Sequence, residues 1–107
     1  MAAVLVMMAG TGLAGETVLH PAYPNPFNPT TVIPYDLGAD AHVELSIFDG
    51  KGKQVRTLVD DRRRAGRHEV LWNGADARGR TVAGGVYFCR LRTSTGDRQI
   101  IRLILLK

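Results

Sequence analysis

The chain has 107 residues, 14 basic against 10 acidic side chains, a formal net charge of +4 and one cysteine, Cys89. That length holds one small core and no second lobe, and a lone cysteine excludes both an internal disulfide framework and a multi-cysteine zinc site. A chain that is 45% hydrophobic and 22% charged is ordinary globular material, and its mild positive charge is weak for a nucleic-acid binder.

The first segment, Met1 to Ala9, is continuously apolar but too short to cross a bilayer as a helix. No Lys or Arg precedes it, so the electrostatic part of a secretory signal is missing. Residues 1–18 therefore read as a linker, a truncated upstream segment or a weak signal-like segment, and residues 19–107 as the domain. Gly10-Thr11-Gly12-Leu13-Ala14-Gly15 matches the dinucleotide-binding spacing, whose chemistry needs a helix N-terminus against the pyrophosphate. Only Glu16 to His20 separate it from Pro21, Pro24, Pro26 and Pro29, and proline cannot continue a helix. The spacing is a coincidence. All five prolines of the chain fall between Pro21 and Pro34.

From Thr30 onward the pattern is of short strands and glycine-rich turns. Thr30 to Leu37 is β-branched and contains Pro34, which has no amide to give to a ladder and so predicts an edge strand. His42 to Asp49 alternates Val43, Leu45 and Ile47 with polar residues, the period of a half-buried strand. A turn over Asp49 to Lys53 precedes a shorter strand, Gln54 to Val59, and Asp60 to Gly66 reads as a charged loop. Arg67 to Trp72 places His68, Val70 and Trp72 on one face. Turns at Asn73-Gly74 and Arg78-Gly79 lead to Gly85 to Arg92, where Tyr87, Cys89 and Leu91 share a face. Ile100 to Leu106 is apolar on both faces apart from Arg102, which predicts a central strand or one that meets a partner. Six such strands without a helical period predict an antiparallel β-sandwich.

The chain carries no combination that reads as catalytic, metal-binding or cofactor-binding. His20, His42 and His68 lie on separate segments without ligand spacing, and His68 reads as a packed strand residue. The loop with Asn73 and Asp76 lacks the calcium-loop pattern and its closing glutamate, so it reads as a turn. Cys89 alternates with apolar residues and reads as a buried small hydrophobe. Arg62-Arg63-Arg64 has no aromatic platform beside it and follows two aspartates, which argues for a solvated loop over a nucleic-acid site.

The run Tyr23-Pro24-Asn25-Pro26-Phe27-Asn28-Pro29-Thr30-Thr31 closely resembles the opening of the C-terminal sorting domains of type IX secretion cargo. It is equally similar to the immunoglobulin-like domain of flagellar hook-capping proteins. The resemblance continues in order through Val43 to Asp49, Gly52-Lys53-Gln54-Val55, Ala65 to His68, Trp72-Asn73-Gly74, Asp76, Gly79 and Gly85-Val86-Tyr87, and ends at Arg102 to Lys107. Departures are mild: Asn73 stands for the usual Asp, Arg102 for a frequent Lys, and Gly84 for a common Ser.

The resemblance implies an all-β, antiparallel immunoglobulin-like β-sandwich of about six to seven strands. It also implies a non-catalytic sorting and attachment module that takes an upstream cargo across the outer membrane to the cell surface. Its partners would be the secretion machinery and the fused cargo, with no cofactor, nucleic acid or small-molecule substrate. The recognition residues it points to are Pro24, Asn25, Pro26, Phe27, Asn28, Pro29, Gly85, Tyr87, Arg102 and Lys107. The alternative is a structural immunoglobulin-like module of a hook-capping or cell-surface protein.

Overall fold

The computed structural model describes residues 16–107, where the alternation read from the sequence becomes two antiparallel sheets packed face to face. The strands are β1 (Val18–Leu19), β2 (Thr31–Leu37), β3 (Ala41–Asp49), β4 (Gln54–Arg63), β5 (Gly66–Trp72), β6 (Gly85–Thr93) and β7 (Arg98–Leu105). One sheet has the order β1-β2-β5 and the other β4-β3-β6-β7. This is the immunoglobulin-like sandwich that the sequence predicts, with the two-residue β1 as its seventh strand.

Each inner face is built from every second residue. Val43, Leu45 and Ile47 of β3, Cys89 and Leu91 of β6 and Leu103 of β7 are fully buried, opposite Ile33 and Tyr35 of β2 and Trp72 of β5. Complete burial of one such aliphatic side chain stabilises by about 1.5–3 kcal/mol, so this double row is what holds the sheets together. His68 is half-buried and stacks on Tyr35 with ring centroids 5.1 Å apart, the packed role read for it. Cys89 has no exposure, and burial pushes its thiol up to about 12.

Three sequence expectations change. First, β2 is the middle strand of its sheet, not an edge. Pro34 is tolerated because its missing amide faces away from β5, towards the short leading segment, where its carbonyl accepts from the His20 amide at 3.0 Å. Second, Asp60 to Arg63 is not a loop but the second half of β4, paired with Ala41 to Glu44 of β3. Charges are at home there because β4 is an edge strand facing solvent on one side, and charged edges resist pairing with other chains. Third, β7 is an edge strand, not a central one, and its outward residue Ile100 is 56% exposed. The apolar-spacing rule reads burial on both faces, but here only Leu103 and Leu105 are fully inside, with Ile101 partly so.

Thr17 and Val18 already belong to this body. Val18 pairs with Asp36, and the Thr17 hydroxyl accepts from the Gly38 amide at 3.0 Å. The apolar stretch and the glycine-rich coincidence at residues 1–15 lie outside the described residues.

Candidate recognition surface

The proline-rich segment owes its shape to what its prolines lack. In Pro24-Asn25-Pro26-Phe27-Asn28-Pro29 only Asn25, Phe27 and Asn28 retain a backbone donor, so the run cannot form an ordinary strand. It attaches to β7 instead, using one backbone residue and one side chain. Phe27 donates its amide to the Ile104 carbonyl at 2.9 Å and accepts from the Leu106 amide at 2.8 Å, a parallel bridge opposite Leu105. Asn25 reproduces the next rung with its carboxamide, accepting from the Ile104 amide at 2.8 Å and donating to the Arg102 carbonyl at 2.9 Å. Further back, Gln99 does the reverse: its side chain accepts from the Leu19 amide at 2.7 Å and donates to the Thr17 carbonyl at 2.7 Å. Two carboxamides thus tie the leading segment to the outer edge of the four-stranded sheet.

Below the segment, Phe27 is 1% exposed and begins an aromatic row. Its ring centroid lies 5.6 Å from that of Trp72, which meets Tyr87 edge-on at 5.4 Å. Buried aromatic polar atoms need partners, and both have one here. Trp72 Nε1 donates to the Ala75 carbonyl at 2.9 Å, and the Tyr87 hydroxyl donates to the Ala83 carbonyl four residues upstream, the arrangement of a tyrosine corner. Burial, followed by the nearby Asp49 carboxylate, raises the Tyr87 phenol above its ordinary value. Gly74 completes the floor: at φ +74 a Cβ there would come within 3.3 Å of the Pro29 carbonyl oxygen.

Most of the residues singled out from the sequence therefore gather at one end of the sandwich. Phe27 and Tyr87 are buried in the aromatic row, while Pro24, Asn25, Pro26, Asn28, Pro29, Gly85, Arg102 and Lys107 are exposed. Gly85 pairs with Leu105, and the Lys107 side chain lies against Gly84, where a Cβ would sit 2.8 Å from its Cγ. Between Arg102 and Leu106 the partner met by the backbone edge of the last strand is the chain's own leading segment, because Asn25 and Phe27 occupy it. Sequence reasoning singled out Asn25 without its clamp to the last strand, and missed Gln99. The usable signal was Asn25 standing between two prolines, a position that leaves its side chain as the natural hydrogen-bonding group.

The loop read as a turn behaves as one. Asp76 Oδ1 accepts from the Arg78 and Arg80 amides at 2.9 and 3.0 Å. Those amides, the Arg80 one foremost, hold its carboxyl below the ordinary value. Asp49 organises the β3–β4 turn in the same way through the Lys51 and Lys53 amides, each at 2.9 Å.

Comparison with known proteins places this architecture. Residues 28–97 match the family model described as the FlgD Ig-like domain. The basal-body rod modification protein FlgD of Salmonella typhimurium is 37% identical over 59 residues, which are 55% of this chain and 25% of that protein. The chain thus spans about a quarter of the length of the curated relatives it matches. Among solved structures, dimeric latent PorU from Porphyromonas gingivalis superposes with a TM-score of 0.68 at 18% identity, covering 95% of this chain and 10% of that one. FlgD from P. aeruginosa superposes with a TM-score of 0.58 at 20% identity, covering 88% and 77%. FlgD from Xanthomonas campestris, described in relation to hook capping in flagellar assembly, gives 0.58 at 24% identity, covering 85% and 69%. Likeness at these identities concerns the fold.

Proposed function

The chain belongs to the FlgD Ig-like domain family, and from that premise we propose that it is a non-catalytic assembly module of a flagellar hook-capping or related cell-surface protein. The observation that carries this reading is the family match over residues 28–97. The chemistry of the side chains is in keeping with it. The one thiol is buried and pushed up to about 12, and the best-placed carboxylates, Asp49 and Asp76, are engaged by backbone amides. Such a domain acts by presenting a rigid surface outside the cell, and makes and breaks no bond.

Deleting residues 28–97 in the source organism tests the reading, with hook length and filament assembly scored by electron microscopy. Cells that assemble normal hooks and surface structures would overturn it.

A second reading, a sorting module for type IX secretion, is favoured by one observation. The two ends of the motif that resembles sorting domains, Pro24 to Thr31 and Arg102 to Lys107, are joined by hydrogen bonds into a single surface. In this reading Pro24, Asn28, Pro29, Arg102 and Lys107 face the secretion machinery. The test is a reporter protein carrying this chain at its C-terminus in a host with that machinery. Export that is lost on Arg102→Ala with Lys107→Ala supports it, and retention of the unsubstituted reporter inside the cell refutes it.

A further inference from the structure

The outer face of the four-stranded sheet is chemically unlike the rest of the surface. Because Tyr87, Cys89 and Leu91 point inward, Phe88, Arg90 and Arg92 point out, and the register sets them opposite Arg102, Ile100 and Arg98. Over β3, β6 and β7 the outward positions hold four guanidinium groups and a single carboxylate, Glu44, which already pairs with Arg92. The next acid across the sheet, Asp60 on β4, is taken by His42 at 2.7 Å. Arg92 and Arg98 are directly opposed on neighbouring strands, and Glu44 compensates Arg92 but leaves Arg98 facing a like charge. Arg90 sits in the field of both and of the Glu44 carboxylate 3.9 Å away, and lies over the Phe48 ring at 4.6 Å. Beside Arg90 and Arg98 lies a groove of about 540 Å³ floored by Phe48, Phe88 and Ile100 and closed at one side by the β3–β4 turn, where the Asp49 carboxylate is held by the Lys51 and Lys53 amides.

We infer that this face is a docking surface for an acidic protein segment whose carboxylates alternate with apolar side chains. Charge complementarity selects an anionic occupant, and the apolar floor selects a protein one. On this face Phe48 is covered by Arg90, Phe88 is half-buried, and the most exposed apolar groups, Ile100 and Val86, are aliphatic. Such a surface suits leucine- or phenylalanine-bearing segments better than stacked bases. Guanidinium groups in a row meet carboxylates two-pronged, which fixes the register of an extended segment along the strands. The inference deepens the assembly-module reading and rests on it, by naming the chemistry of the surface that the module would grip.

The test uses the whole chain and a fluorescent heptapeptide alternating glutamate with phenylalanine and valine. Binding should weaken as salt rises, because the contacts are partly exposed charges. Arg98→Glu with Arg102→Glu should weaken it by roughly tenfold or more, since each reversal turns an attraction into a repulsion. Both side chains are exposed and Arg98→Glu sets a carboxylate opposite Arg92, so the melting temperature should not fall below that of the unaltered chain. The milder Arg98→Gln with Arg102→Gln gives an intermediate loss if the double reversal disturbs folding. Arg64→Glu with Arg67→Glu, exposed at the β4–β5 turn and on the three-stranded sheet, should leave binding unchanged. The inference is overturned if the β7 reversal binds as well as the unaltered chain, or if a glutamate-serine peptide binds equally well. Equal or tighter binding to phosphatidylglycerol vesicles or to single-stranded DNA also overturns it. Peptide binding and hook assembly are separate readouts, so loss of one leaves the other to be judged on its own result.

Discussion

Removing the Asn25 carboxamide isolates the clamp between the proline-rich segment and β7. Asn25→Ala takes away two neutral hydrogen bonds, to the Ile104 amide and the Arg102 carbonyl, without touching the aromatic row below. Each such bond nets about 0.5–1.5 kcal/mol, and because Asn25 is exposed water recovers part of it, so the expected cost is about 1–2 kcal/mol. For a domain of this size that lowers the melting temperature by roughly 5–10 °C. Hydrogen exchange reads the same change locally: the Ile104 amide, which loses its own acceptor, should speed up by more than the roughly fivefold to thirtyfold that the global loss alone gives the Cys89 amide in mid-strand. Asn25→Asp separates the two bonds. The carboxylate still accepts from Ile104 but sets a second acceptor against the Arg102 carbonyl oxygen, so at neutral pH the variant should be no more stable than Asn25→Ala. The folded state then disfavours the ionised acid and raises its pKa. Stability should therefore be regained as pH falls through that raised value, in a window near about pH 4–6, when the protonated carboxyl can donate. A melting temperature for Asn25→Ala within a degree of the unaltered chain, with unchanged Ile104 exchange, would refute the clamp.

Phe27→Ala should cost about 3–5 kcal/mol in urea unfolding, because it leaves a cavity beside Trp72, and should change tryptophan fluorescence in the folded state. A loss below about 1 kcal/mol would mean that the row is not the anchor of the segment. Asp76 has its pKa lowered in the fold, so its contribution is complete above its unfolded value and is lost as pH drops through the lower folded one; below about pH 4 the chain should lose stability, and Asp76→Asn should flatten that loss. Cys89 should resist a thiol-specific reagent at pH 8 until the chain unfolds, since the thiolate is suppressed by burial, and rapid labelling of the folded chain would contradict the packing described.

Much of the sandwich is readable from period alone: Val43, Leu45 and Ile47, or Tyr87, Cys89 and Leu91, allow only one face to be the inner one. What misled was local chemistry overridden by neighbours. Asp60 to Arg63 looks like a loop because propensity does not record that an edge strand has one wet side. Pro34 looks like an edge residue because the sequence does not tell which flank its missing amide will face. The apolar Ile100 to Leu106 looks central because an exposed Ile100 and a buried Leu103 are the same to a hydropathy count. The recognition surface was half legible: the run from Pro24 to Pro29 marks itself, but the pairing of Asn25 with residues nearly eighty positions away is a tertiary fact that no local pattern carries.

The parallel bridge at Phe27 also has a mechanical meaning. A pull between the upstream chain and Lys107 runs in opposite directions along two parallel segments joined by four hydrogen bonds, those of Asn25 and Phe27 with Arg102, Ile104 and Leu106. Bonds in that geometry are loaded in shear and share the force, whereas a hairpin pulled open yields one rung at a time. A domain tethered through its leading segment and gripped at its last strand would therefore keep that fastening until the four bonds give way together.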